Sequence, residues 1–206
     1  IGIMGASGSG KSTLLNILNG AYTPYSGTVS INGVDIHHDT AGVSGMIGYI
    51  SQDDLLIEEL TVYQNLFLNA QLCFDGLSDE QIKERVDNTL SALGLYEIKD
   101  IQVGNPMNKK ISGGQRKRLN CGLELIREPS VLFVDEPTSG LSSRDSENIM
   151  DLLKELALKG KLIFVVIHQP SSEIFKMFDK LMIMDTGGYP IYLGNPLDAI
   201  VYFKTE

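Results

Sequence analysis

Near the start of the chain stands Gly5-Ala6-Ser7-Gly8-Ser9-Gly10-Lys11-Ser12-Thr13, whose residue types and spacing suit the holding of phosphate. The glycines let backbone N–H groups converge on phosphate oxygens, and a helix N-terminus behind them adds its dipole. Lys11 is spaced to reach β- and γ-phosphates, and the Ser12 hydroxyl to sit on Mg²⁺. Gly5, Ser7, Gly8, Ser9, Gly10, Lys11, Ser12 and Thr13 are therefore candidate nucleotide-binding residues. The alternative is a glycine-rich turn that matches by chance. An apolar strand before it and an amphipathic helix after it argue against that.

A second chemical feature is Val131-Leu132-Phe133-Val134-Asp135-Glu136, an apolar strand with two carboxylates at its carboxyl end. Ligands of open α/β sheets bind at that end of the strands. Asp135 is placed to hold Mg²⁺, directly or through water, and Glu136 to polarise an attacking water. Without the phosphate loop, a solvated acid pair would explain these residues as well. A third feature is Ile111-Ser112-Gly113-Gly114-Gln115-Arg116-Lys117-Arg118. A serine and two glycines at a helix start offer N–H donors and a hydroxyl to an anion. A helix cap with a solvated basic turn, or a nuclear-import run, fits the same residues.

These groups need a scaffold at the ends of strands. Ile1 to Met4 reads as an apolar strand and Lys11 to Leu18 as a helix with Leu14, Leu15 and Leu18 on one side. Gly27 to Val34 reads as an alternating strand ending in an Asn-Gly turn, and Met46 to Ile50 as a further strand. Residues 53–110 change texture and look helical. Ser78 and Gln81 there form a capping box, ahead of Ile82, Val86, Leu90 and Leu93 on one face. From Ser112 the α/β rhythm returns, with helices near 113–127, 145–158 and 172–178 and strands at Val131–Val134, Leu162–Ile167, Leu181–Met184 and Ile191–Leu193. The all-apolar strands suit a parallel sheet covered on both faces. The expected fold class is α/β: a P-loop NTPase core with a parallel sheet, a small antiparallel β-subdomain and an inserted α-helical subdomain. The expected segments are 1–52 (P-loop core and partial β-subdomain), 53–110 (helical subdomain) and 111–206 (signature helix and the rest of the RecA-like core). A chain that opens inside a core strand is expected to be trimmed, so the β-subdomain is expected to be truncated at its N-terminus.

Bulk properties narrow the partners. The 206 residues are 43% apolar and 21% charged, which suits a packed core. A net charge of −9 argues against nucleic acid as a partner. The longest clean apolar run, Leu162 to Ile167, is far shorter than the ~20 residues of a membrane helix. Cys73 and Cys121 have no metal-type spacing and read as reduced thiols.

Taken together, the motifs resemble those of the ATP-binding cassette family. Ile111-Ser112-Gly113-Gly114-Gln115 looks like its LSGGQ-type signature. Gln52, after the strand Met46–Ile50, is similar to the glutamine loop, and His168, after Leu162–Ile167, to the switch histidine. Gln52-Asp53-Asp54, Leu60-Thr61-Val62, Asp135-Glu136-Pro137-Thr138-Ser139-Gly140-Leu141 and His168-Gln169-Pro170-Ser171-Ser172-Glu173-Ile174-Phe175 look like the G subfamily and its bacterial relatives. The resemblance covers essentially the whole chain. It implies ATP and Mg²⁺ as ligands and a head-to-tail dimer with a second nucleotide-binding domain. Ser112, Gly113, Gly114 and Gln115 would then meet the partner's ATP. It further implies Gln52 as a sensor of Mg²⁺ and of the attacking water, Glu136 as general base, and His168 on the γ-phosphate. A transmembrane domain, fused or separate, would be driven from the cytoplasmic face, with export as the expected direction. Ser142 departs from the family, which usually has an aspartate after Ser-Gly-Leu, and Asp145 lies too far along to be assumed a substitute. The family's adenine-stacking aromatic residue is expected upstream of Ile1. The remaining alternatives are a regulatory cassette with weak or no hydrolysis and a cassette protein of translation or DNA repair. The short insert and the acidic charge argue against the second of these. The signature and His168 exclude a P-loop kinase.

Overall fold

The computed structural model describes residues 1–105, 108 and 110–205. Pro106, Met107 and Lys109, in the segment expected to be helical, and Glu206 lie outside the described residues. Packing divides the chain into two units. One comprises Ile1–Gln52, Ser130–Ser139 and Leu153–Glu206, the other Asp53–Pro129 and Gly140–Leu152.

In the first unit, strand β1 (Gly2–Gly5) feeds helix α1 (Lys11–Leu18). Gly27 to Val34 is not one strand. β2 (Ser30–Ile31) and β3 (Val34–Asp35) pair antiparallel across Asn32-Gly33, whose φ angles of 52° and 83° are those a tight hairpin turn requires. This hairpin is the small antiparallel sheet. β4 (Ile47–Ile50), β5 (Val131–Asp135), β6 (Leu162–Val166), β7 (Leu181–Met184) and β8 (Pro190–Gly194) complete the main sheet. Its order is β4-β5-β6-β1-β7-β8. Every neighbouring pair is parallel except β7 with β8, where the Gly187-Gly188 turn reverses the chain. β5 is buried along its whole length, as a central parallel strand of apolar residues should be. Leu14, Leu15 and Leu18 of α1 pack on Ile3, Val131, Phe133, Val166 and Met184.

The second unit is helical: α2 (Val62–Cys73), α3 (Asp79–Ala92), a 3₁₀ turn (Tyr96–Ile98), α4 (Gly113–Leu125) and the beginning of α5 (Ser143–Leu158). α2, α3 and α4 each start with a complete capping box, Thr61 with Gln64, Ser78 with Gln81 and Ser112 with Gln115. The signature helix α4 therefore groups with the residues of 53–110. Its Leu119 and Ile126, at the C-cap, enter the same cluster as Leu66, Val86 and Leu90. Gly122 lets α4 come close: a Cβ there would lie 2.7 Å from Leu93 Cδ1 and 3.2 Å from Leu66 Cδ2. Leu66 is fully buried, so Leu66→Ala should destabilise this unit by about 3 kcal/mol. The check is its urea midpoint, and an unchanged midpoint would contradict the packing. The first unit ends in α6 (Ser172–Lys176) and α7 (Pro196–Thr205).

Candidate nucleotide site

In a parallel sheet all carboxyl ends lie on one side, and four neighbouring strands here deliver the expected residues to that side. Gln52 follows β4, Asp135 ends β5 with Glu136 next, His168 stands two residues beyond β6, and the phosphate loop leaves β1. The register brings them abreast. Ile50 pairs with Val134, Asp135 with Val166, and Val166 in turn with Ile3. Strands are spaced ~4.8 Å apart, so these residues share one sheet edge.

The loop is built for close approach. Gly8 and Gly10 have φ of 77° and 87°, which favours glycine. A Cβ on Gly5 would collide with the Met184 carbonyl and lie 2.6 Å from Ser9 Oγ. Gly10 caps α1 without a side-chain hydrogen bond, which leaves first-turn N–H groups for an anion. The Lys11 Nζ donates to the Gly5 and Ala6 carbonyls at 3.0 and 2.9 Å. An ammonium has three donors, so one remains for a phosphate while two brace the loop. Ser7, Ser12 and Thr13 are exposed, and Ser9 is buried with its Oγ unpartnered.

Asp135 is 8% exposed, and its Oδ1 is buried without a partner. An orphaned buried carboxylate oxygen at the carboxyl end of a strand fits Mg²⁺, which takes one or two carboxylates together with substrate phosphates. Among the described residues no cluster of three His, Cys, Asp or Glu could cage a metal by itself. Glu136 is half-buried, with φ 43°, and its N–H donates to the Val166 carbonyl at 3.0 Å. A non-glycine residue held in the left-handed region is strained, and such strain gathers at functional sites. Gln169, next to the exposed His168, has φ 46°.

The signature belongs to the helical unit. Ser112 Oγ accepts from the Gln115 N–H at 3.2 Å, while Gln115 Oε1 accepts from the Ser112 N–H at 2.7 Å. The serine keeps its own proton to donate. The basic residues that follow are not a solvated run. Arg116 and Lys117 are buried, and Arg116 forks onto Asp54 at 2.9 and 3.0 Å and also donates to the Gly104 carbonyl. A nuclear-import run needs its basic side chains in solvent, so that alternative falls.

Asp145 enters here too. A Cβ on Gly114 would collide with its Oδ1 and lie 2.6 Å from its Cγ. Ser142 Oγ donates to Asp145 Oδ2 at 2.8 Å and accepts from the Asp145 N–H at 3.2 Å. Asp145, too far along the sequence to be assumed a substitute for the family's aspartate, is thus the hydrogen-bond partner of Ser142, the residue that stands in that aspartate's place. The Ser142-to-Asp145 spacing, that of a helix cap, was the signal that ties it to Ser142.

The chain matches the family described as ABC transporter over residues 1–139. It is 39% identical over 207 residues to ABC transporter G family member 14 of Arabidopsis thaliana, a match that covers all of this chain and 31% of that protein. It is also 39% identical to the broad substrate specificity ATP-binding cassette transporter ABCG2 of Rattus norvegicus, over 98% of this chain and 31% of that one. The chain thus spans less than a third of these relatives. Among solved structures, cbiO1 of Clostridium perfringens, part of the ABC transporter complex cbiONQ, superposes with a TM-score of 0.82 at 29% identity. That match covers 99% of this chain and 80% of cbiO1.

Proposed function

The chain belongs to the ABC transporter family, is similar to members of its G family, and has that family's ATP-binding α/β fold; we propose that it binds and hydrolyses ATP to drive a membrane domain, in the direction of export. The observation that carries this is the edge formed by β4, β5, β6 and β1, where Gln52, Asp135 with Glu136, His168 and the phosphate loop stand side by side. The membrane domain is fused or separate, and the chain sits at the cytoplasmic face as a peripheral unit. No helix among the described residues is long and apolar enough to cross a membrane. Nucleic acid is not a partner in this reading.

The chain's own groups divide the work. Gly5 to Thr13 hold the phosphates with backbone N–H groups, and Lys11 adds a charge already braced on the loop. Ser12, Asp135 and Gln52 would hold Mg²⁺, which would supply positive charge to offset that of the phosphates. Glu136 accepts a proton from the attacking water, and His168 orients the γ-phosphate. Ser112, Gly113, Gly114 and Gln115 meet the ATP of a second nucleotide-binding domain in a head-to-tail dimer. Ser112 offers its free hydroxyl proton and α4 its N-terminal dipole. ATP closes such a dimer because it binds the closed state more tightly, and hydrolysis removes that bias. A second reading, a regulatory cassette with weak or no hydrolysis, rests on Ser142, whose hydroxyl is engaged by Asp145 within its own chain.

The test is Lys11→Ala in the whole protein that carries this chain. ATPase activity in the membrane fraction should fall at least about 100-fold, the scale of losing a charge that stabilises transferring phosphate. Wild-type turnover in the variant, or a whole protein found only in the soluble fraction, would refute the assignment.

A further inference from the structure

Arg116 has no part in the chemistry above, yet it stands one turn beyond Ser112 in α4 and is 7% exposed. A cation this close to a helix N-terminus opposes the dipole, and burying it costs hydration. All of its guanidinium nitrogens are nevertheless spent on segments outside the helix. Nε donates to Asp54 Oδ2 at 2.9 Å and Nη2 to Asp54 Oδ1 at 3.0 Å, while Nη1 donates to the Gly104 carbonyl. One turn further on, Asn120 is buried, and its Oδ1 accepts from the Leu55 N–H at 3.1 Å. Two side chains on one face of α4 thus grip the start of a single segment. Asn65 of α2 holds the end of that segment: its Oδ1 accepts from the Ile57 N–H at 2.8 Å and its Nδ2 donates to the Ile57 carbonyl at 3.1 Å. Leu56, between them, is buried in the helical cluster. Residues 54–57 belong to no helix or strand, and they begin two residues after Gln52.

An apolar side chain would hold α4 on the core of its unit, as Leu119 does. What the guanidinium adds is direction, because its fork is planar and grips both carboxylate oxygens at once. Apolar contacts are non-directional and tolerate a small slide or turn of the helix, whereas a fork does not. The fork lies one hydrogen bond from the signature: the Arg116 N–H donates to the Ser112 carbonyl at 2.9 Å. We propose that Arg116 is a positioning residue for the signature, locking the first turns of α4 to the segment that leaves Gln52 and so fixing where Ser112 and the helix N-terminus stand for the partner's ATP. This rests on the reading that Ser112 to Gln115 meet the ATP of a second domain.

The experiment uses the whole protein carrying Glu136→Gln, loads it with radiolabelled ATP and Mg²⁺, and follows release of the label after rapid desalting. In the proposed dimer this ATP is closed in by the signature and leaves slowly. Affinity for ADP, measured separately, depends on Gly5 to Thr13 alone. Arg116→Lys keeps the charge and loses the fork. It should release ATP at least about tenfold faster, the scale of a misplaced binding group, with ADP affinity unchanged. Arg116→Met combined with Asp54→Asn leaves no charge unpaired, so its urea midpoint should stay near that of the parent. Its ATP release should be as fast as that of Arg116→Lys. Slow release in Arg116→Lys overturns the proposal, and so does an equal loss of ADP affinity. A double variant with the parent's midpoint and the parent's slow release marks the pair as merely structural and also overturns it. So does a double variant that does not fold, because the fork is then a requirement of the fold. If the Glu136→Gln parent itself retains no ATP, the reading of the signature fails and this proposal falls with it.

Discussion

Glu136→Gln in the whole protein should lower steady-state ATP turnover by at least about 100-fold, the lower range of what a general base contributes. ATP binding should persist, and an ATP-bound dimer should accumulate. The substitution separates chemistry from architecture. Glutamine has the shape of glutamate and tolerates the same backbone, so the φ of 43° and the bond from the residue 136 N–H to the Val166 carbonyl are kept. Only the capacity to accept a proton is removed. Glu136→Gly is a useful companion because it relieves the strained backbone. If strain alone mattered, the glycine variant would change turnover and the glutamine variant would not. Phosphate release under multiple turnover and size-exclusion chromatography with ATP are the two measurements. Wild-type turnover in Glu136→Gln would remove Glu136 from the mechanism.

Much of this site was legible in the sequence because its parts are local. A glycine-rich loop between an apolar strand and a helix, or an acid pair at the end of Val131–Val134, is a pattern within about ten residues whose physics needs no distant partner. The strand β6 and the helix α1 follow from runs of apolar residues in the same way. What could not be read is contact between distant segments. The basic run Arg116-Lys117-Arg118 looks solvated by composition, and only the fork onto Asp54 explains why Arg116 is buried. The limits of the helical unit were hidden for the same reason. α4 joins it through Leu119 and the close approach at Gly122, and a sequence shows a helix's apolar face without saying which neighbour covers it.

The contact of Asp145 with Gly114 leads to the second large effect. Gly114→Ala would normally help a helix, by up to about 1 kcal/mol in an exposed interior. Here the added methyl meets the Asp145 carboxylate, which is tied to Ser142 from both its side chain and its backbone. Something must shift, at a typical overpacking cost of about 1–3 kcal/mol. The strain falls on the start of α4, where Ser112 and the first-turn N–H groups are offered to the partner's ATP in the proposed dimer. Binding of ATP to the monomer, which uses Gly5 to Thr13, should therefore be intact in Gly114→Ala. ATP-driven dimerisation and turnover should fall at least tenfold, the equivalent of about 1.4 kcal/mol of lost interface. Asp145→Ala alone trims the carboxylate but leaves the backbone N–H on Ser142 Oγ, so its cost should stay near the ~1 kcal/mol of a weakened helix cap. Combined with Gly114→Ala, it should restore most of the lost dimerisation, because the carboxylate atoms at 2.3 and 2.6 Å are gone and only the residue 145 Cβ, at 3.1 Å, remains near the methyl. Failure of the double variant to recover would mean that the methyl itself blocks the approaching phosphate. Gly114 would then be a glycine for the sake of its ligand and not for Asp145.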